Sequence, residues 1–199
     1  MVTKDPSGCS VYVALLHHSM RDKNGVVVTT AVTNLDIHDI ARSSRTFGVK
    51  KYFLVNPLEE QQGVVKRIIG HWQGSGGRDY NPDRSEAFER VQIVSWFQDA
   101  VREIEAEEGQ RPEVLMTSAR RPEIGLKWKS WTAAREEFSR SGSPKLLVFG
   151  TGWGMVDELL LEADGVLEPI DPASESGYNH LSVRSAVAIA LDRLLGERV

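Results

Sequence analysis

The chain has 199 residues, the length of one domain or two small ones, with 41% hydrophobic and 26% charged residues, as in ordinary globular proteins. Its formal net charge of −4 argues against a nonspecific nucleic-acid coat. No charged–apolar–small leader pattern and no run of about 18 apolar residues is found, and the single cysteine, Cys9, cannot form an internal bridge, so a cytoplasmic protein without a membrane span is expected.

In chain order, residues 11–16 (VYVALL) and 51–55 (KYFLV) are short apolar runs rich in strand formers. Residues 36–46 suggest a weak helix between them. Residues 58–72 place Val64, Val65, Ile68, Ile69 and Trp72 at helical spacing, and residues 73–85 are expected as a polar, Gly-rich surface loop. A third strand is expected at 90–94. A helix follows at 96–108, opened by a Ser95/Gln98 capping box. Strands at 114–117, 145–149 and 165–168 alternate with helical stretches at 130–138 and 155–161. Residues 182–195 close the chain with a clean apolar stripe behind the candidate N-cap Ser182. Continuous apolar runs bounded by turn residues suit parallel strands buried on both faces. The alternation therefore predicts an α/β fold, a mostly parallel sheet flanked by helices, as a single domain over 1–199.

Charge is uneven along the chain. Residues 155–177 hold seven acids and no Lys or Arg, so the remainder of the chain is net positive. Residues 111–129 hold Arg111, Arg120, Arg121, Lys127 and Lys129 against Glu113 and Glu123, which allows a local basic face or an ordinary mixed surface.

Four segments have the composition of a site. Phe149, Gly150, Thr151, Gly152, Trp153 and Gly154 (FGTGWG) follow a strand, and glycines there let the backbone turn tightly and approach a ligand. A dinucleotide-binding loop follows the first strand of its fold, whereas only 45 residues follow Gly154, so a different α/β architecture is required. Glu168, Pro169 and Ile170 lead into Asn179, His180, Leu181, Ser182, Arg184, Ser185 and Ala186, a start too polar for capping alone. Asn34, Asp36, His38, Asp39 and Arg42 cluster at another helix start. Dipole complementation accounts for the two acids but not for Asn34 or Arg42. Thr117, Ser118, Ala119, Arg120 and Arg121 follow the fourth strand, where a ligand crevice or an ordinary loop both fit. The histidines His17, His18, His38, His71 and His180 have no metal-ligand spacing, no Cys cluster joins them, and no Gly-x-Ser-x-Gly elbow is present.

Together the first three of these segments resemble the three motifs of the SPOUT (α/β-knot) S-adenosylmethionine-dependent RNA methyltransferases. The stretches TNLDIHDIAR, FGTGWG and YNHLSVRSAVAI are similar to those of a bacterial group of that superfamily. The resemblance covers essentially the whole chain. It implies a C-terminal deep trefoil knot, an exception to unknotted connections. It further implies an S-adenosylmethionine pocket built from Thr117, Ser118, Ala119 and Arg120, from residues 149–154, and from Glu168, Pro169 and Ile170 with Asn179, His180, Leu181, Ser182, Arg184 and Ala186. By matching positions, Arg42 lies near the methyl group and the acceptor atom, and Asn34 orders the loop around it. A homodimer acting on tRNA or rRNA is implied, with RNA across the subunit boundary. The ribose-methylating branch has an Asn and then a Ser in its third motif; Ser182 and Arg184 stand nearest here, leaving base and ribose acceptors open. The alternative is a noncatalytic module that binds the cofactor or RNA and serves regulation or assembly. The acidic stretch and the lack of an attached RNA-binding domain favour it.

Overall fold

Each apolar run forms a strand, and the alternation along it divides its side chains between two layers. Strand β1 (Val11–Leu16) sends Val11, Val13 and Leu15 into one core cluster and Tyr12, Ala14 and Leu16 into the other. β4 (Lys51–Val55) and β8 (Lys145–Gly150) divide likewise, with Leu54 and Leu147 on the first side and Phe53 and Val148 on the second. This two-sided burial explains why these strands read as continuous apolar runs. The computed structural model describes residues 9–140, 142–173 and 175–197.

Between β1 and β4 lie an antiparallel ribbon, β2 (Met20–Arg21) with β3 (Val27–Val28), and helix α1 (Asn34–Thr46). α2 (Glu59–Gln73), α3 (Ser75–Tyr80), α4 (Pro82–Phe88), β5 (Val91–Val94) and α5 (Phe97–Glu108) follow. β6 (Glu113–Thr117), β7 (Trp128–Lys129) and α6 (Trp131–Phe138) precede β8, and α7 (Asp157–Leu161), β9 (Gly165–Leu167) and α8 (Val183–Leu195) come last. The main sheet has seven strands in the order β5-β4-β1-β8-β6-β9-β7, and every pairing in it is parallel. One face is covered by α1, α2, α4, α6 and α8, through side chains such as Ile40, Val65, Phe88, Phe138 and Leu191. The other is covered by α5 and α7, through Phe97, Ile104, Leu159 and Leu160.

Strand order runs outward from β1 in both directions, to β4 and β5 on one side and to β8 and β6 on the other. Neighbouring connections therefore part at the carboxyl ends of β1 and β8. That divergence opens a crevice where α/β proteins bind their ligands.

Several expectations change. Residues 73–85 are not a loop but hold α3 and most of α4's first turns. Asn81 accepts the Arg84 N–H at 3.0 Å, so the Asn-Pro pair that reads as a turn is the cap and first residue of a helix. Ala87 and Phe88 then bury against the core. The N-cap of α5 is Trp96 rather than Ser95, and half of a capping box forms: Asp99 accepts the Trp96 N–H at 2.9 Å, while Ser95 accepts from Gln62 at 2.9 Å. α1 is a full 13-residue helix, capped by the Thr33 hydroxyl, which accepts the Asp36 N–H. The two-residue β7 and the β2/β3 ribbon have too few residues for a periodicity signal.

Candidate active site at the carboxyl ends of the central strands

The glycine loop leaves β8 and folds back under the ribbon. Gly150 faces Met155 so closely that a Cβ there would stand 2.7 Å from the Met155 Cγ and 3.2 Å from the Met20 Sδ. Gly152 has φ of +58°, a backbone state that L side chains rarely adopt. The β2 strand clamps this loop through main-chain bonds: the Arg21 N–H donates to the Gly154 carbonyl at 2.8 Å, and the Trp153 N–H donates to the Arg21 carbonyl at 3.2 Å. Met20 and Met155 form an antiparallel bridge beside them, and Arg21 pairs with Asp157 at 2.7 Å.

Above this loop opens a cleft of about 720 Å³, within the usual range for small-molecule sites. Its walls come from four places in the chain. Thr117, Ser118, Ala119 and Arg120 follow β6, and residues 149–155 follow β8. Asn179, His180, Leu181, Val183 and Ala186 lead into α8. Thr30, Ala31, Thr33 and Asp36 enter α1. Arg120 forms no ion pair among the described residues, leaving an uncompensated cation at this wall. Trp153 is 61% exposed at the rim.

Asp36 is the buried acid of the cleft. Its Oδ2 accepts from the Thr33 hydroxyl at 2.6 Å, and its Oδ1 accepts from Arg184 Nη1 at 3.1 Å. Arg184 also reaches Asp39, with Nε 3.4 Å from Oδ2, and so ties the start of α8 to α1. A second, open hollow of about 560 Å³ runs along the outside of this joint, lined by Asp39, Arg42, Thr46, Phe47, Ser182, Arg184 and Ser185. The Arg42 guanidinium makes no ion pair among the described residues.

Behind the cleft His17 is fully buried, and burial lowers its pKa to about 4 against the opposing pull of Asp36 and of the Ala31 and Thr30 carbonyls. His38 lies instead in an aromatic cluster, edge-on to Trp72 at 5.5 Å and Phe88 at 4.8 Å. Burial, with the Arg84 charge behind it, lowers its pKa.

The sequence-named residues thus fall into groups. Thr117, Ser118, Ala119, Arg120, residues 149–154, Asn179, His180, Leu181 and Ala186 share the cleft. Glu168, Pro169 and Ile170 do not line it; Pro169 is buried, and the Glu168 N–H donates to the Lys129 carbonyl at 3.0 Å. Ser182 caps α8 through the Ser185 N–H at 3.2 Å, and with Arg184 and Arg42 it lines the outer hollow. Asn34 is the exposed first residue of α1 and lines neither. Sequence reasoning missed Thr30, Ala31, Thr33, Met155, Leu160 and Val183 as wall residues and read Asp36 only as a dipole complement. A strand ending at Leu16 points to a site nearby, but residues 17–33 have no pattern that returns Thr30 to it.

The basic segment 111–129 is largely neutralised within the chain. Arg111 pairs with Asp164 at 2.9 Å, Arg121 with Asp171 at 3.5 Å, and Lys129 with Glu113 at 2.7 Å. The acids of 155–177 thus serve partly as partners of those bases. Among the described residues no helix is long and apolar enough to cross a membrane, and no His/Cys/Asp/Glu group is placed to hold a metal ion.

Comparison with known proteins agrees with this architecture. The family model described as SAM-dependent RNA methyltransferase matches residues 10–196. An uncharacterized protein of Aquifex aeolicus is 40% identical over 185 residues, covering 93% of this chain and 88% of its own. A protein of Oleidesulfovibrio alaskensis named tRNA (guanine-N(1)-)-methyltransferase is 40% identical over 194 residues, 98% of this chain but 44% of its own. The chain therefore spans less than half of that longer relative. Among solved structures, the SpoU methyltransferase AviRb of Streptomyces viridochromogenes in complex with AdoMet superposes with a TM-score of 0.56 at 12% identity, over 95% of this chain and 57% of that one, which shows the shared fold. With that family model spanning nearly its whole length, the chain belongs to the SAM-dependent RNA methyltransferases, as the SPOUT resemblance implied.

Proposed function

We propose that the cleft at the ends of β1, β6 and β8 holds S-adenosylmethionine and that the protein transfers its methyl group to an RNA, with tRNA or rRNA as the substrate class. The single observation behind this reading is the glycine loop. Its backbone forms a wall where a side chain at position 150 would collide with Met155, and it stands opposite the small residues 117–119. The cofactor supplies an electrophilic methyl on a sulfonium. Arg120 offers a cation for its carboxylate end, and Asp36 offers a buried negative charge near the opposite wall. Trp153, His180 and Leu181 stand exposed at the rim, where they would cover the bound cofactor. Glu168, Pro169 and Ile170 follow β9 and lead toward the cleft residues 179–181.

Arg42 and Asn34 are the catalytic residues we propose, and they lie outside the cleft of their own chain. A homodimer that sets the α1/α8 hollow of one chain against the cleft of its partner accounts for this. Arg42, free of ion pairs among the described residues, then holds an RNA phosphate or promotes loss of the acceptor's proton. The exposed Leu35 and Leu181 flank that face and would be covered by the partner.

A C-terminal trefoil knot also belongs to this reading. Its support is the order of strands: β9 inserts between β6 and β7, whose connection runs on the α5/α7 side through Ile124 and Leu126. α6, on the other side, returns the chain to β8. In this reading the segment after β9 threads that enclosure, and it ends as α8 packed against α1. We read 1–199 as one cytoplasmic domain, of which residues 1–8, 141, 174 and 198–199 lie outside the described residues.

Incubation with methyl-labelled S-adenosylmethionine and unmodified tRNA and rRNA pools tests the activity. Label should enter one RNA class with the wild-type protein and fail to enter with Gly152→Trp. Cofactor binding without label in either pool would favour the noncatalytic module.

A further inference from the structure

Behind the glycine loop lies a hydrogen-bonded chain that neither the family motifs nor the cleft description uses. His17 Nδ1 is 3.0 Å from the Thr30 hydroxyl, and the Thr30 hydroxyl is 2.5 Å from the Thr151 hydroxyl. The Thr151 hydroxyl donates to the Leu16 carbonyl at 3.1 Å. These contacts are all satisfied when each group donates in the same direction: Nδ1–H to Thr30, Thr30 to Thr151, Thr151 to Leu16. That direction calls for the Nδ1–H tautomer, in which the Thr30 proton goes to Thr151 rather than to the His17 carbonyl at 3.4 Å, and Nε2 is buried without a hydrogen bond among the described residues. An unsatisfied buried polar atom costs stability, so a merely structural role would be better served by an apolar side chain. Burial keeps the ring neutral at ordinary pH.

Thr151 is the one residue between Gly150 and Gly152, and Gly154 follows two residues later. Such a loop loses much conformational freedom when it is ordered. The β2 ribbon holds its far side by main-chain bonds, at Trp153 and Gly154. On its near side Gly150 pairs with Leu16 at the end of the β1–β8 ladder and the Thr151 N–H meets the Met20 Sδ at 3.2 Å; past that point the Thr151 side chain ties the loop to the Leu16 carbonyl and to Thr30, and both threonines line the cleft.

We propose that His17 is a positioning residue: through Thr30 it anchors Thr151 and preorders the glycine loop, so that the cofactor binds without paying to order it. The consequence for affinity rests on the cofactor reading above, whereas the anchoring itself does not. Preordering raises affinity and leaves the chemistry of transfer untouched.

Two measurements on the full chain test it. The first is amide hydrogen exchange of residues 151–156 in the unliganded protein. Thr30→Val keeps the shape and removes the middle hydroxyl, and it should speed exchange in this segment about tenfold while leaving the β1 and β4 amides unchanged. His17→Phe should do the same, and His17→Asn, which keeps a donor near the Nδ1 position, should restore protection. The second is calorimetric titration with S-adenosylmethionine. Thr30→Val and His17→Phe should weaken binding about five- to tenfold, His17→Asn about twofold at most, and His17→Phe with Thr151→Val no more than either alone. Unchanged exchange in Thr30→Val overturns the proposal, even with weakened binding, because the hydroxyls would then contact the cofactor directly. Additive losses in the double variant overturn it as well. If the wild-type protein takes up no cofactor, the cofactor reading fails, and the exchange rates still decide whether the anchor exists.

Discussion

The two hollows of this molecule share the helices α1 and α8 yet are built differently. The cleft is walled by main chain and small residues, such as Thr117, Ser118, Ala119 and the glycine loop. The outer hollow is walled by charged and hydroxyl side chains, among them Asp39, Arg42, Arg184 and Ser182. Backbone walls recognise a ligand by shape, with Arg120 and Asp36 adding charge at two points of the cleft. Charged walls serve a polyanion or a proton transfer. One ion pair joins them: Asp36 faces the cleft, and its partner Arg184 faces the hollow. In the function proposed above, the methyl donor goes to one hollow and the RNA to the other. Variants on either side should separate the two functions.

The largest effect is expected from the charged wall. Arg42→Ala should lower methyl transfer about 100-fold or more while S-adenosylmethionine affinity stays within about twofold. An equal loss in both would merge the two hollows into one site. Next comes acidification. The unfolded chain binds a proton on His17 near pH 6.5, and the folded protein resists until about pH 4. His17 therefore contributes stability in full above pH 6.5 and loses it as pH falls toward 4, by about 3 kcal/mol. Denaturant unfolding of the wild type and of His17→Phe across that window should give a shallower pH dependence for the variant. The smallest effect is at the shared pair. Arg184→Met leaves the Asp36 carboxylate with the Thr33 hydroxyl alone and should cost about 1–3 kcal/mol in urea denaturation. Asp36→Asn in the same background should recover part of that loss, since the stranded charge is gone.

Much of the layered fold was legible because it rests on two-sided strands. Continuous runs such as VYVALL at 11–16 signal burial on both faces, and the sheet obeys that signal. The glycine loop was legible because a strand, a small residue and positive-φ turns leave few chemical choices. Short pairings were not. β7 is two residues long, and its place beside β9 depends on chain from both sides of α6. The ribbon at 20–28 pairs with a loop more than 120 residues away, at Met155, which no local pattern encodes. The segment 73–85 misled because its Gly and Pro residues read as breakers, whereas Asn81 and Pro82 start a helix. Asp36 misled in the opposite sense: a first-turn acid is ordinary, and only the arrival of Arg184 from the far end of the chain makes it a buried pair.

The central claim, that the glycine loop holds the methyl donor, is tested most directly by isothermal titration of the purified protein with S-adenosylmethionine beside a Gly152→Trp variant. Gly152 is exposed, but φ of +58° strains any side chain there, and its Cβ would stand 3.3 Å from the Thr30 Cγ2 of the cleft wall, so the variant's fold is checked alongside its binding. Saturable binding at one site per chain, lost in a variant whose circular dichroism is unchanged, is the expected result. Binding that survives Gly152→Trp, or no wild-type binding at about millimolar cofactor, would contradict it.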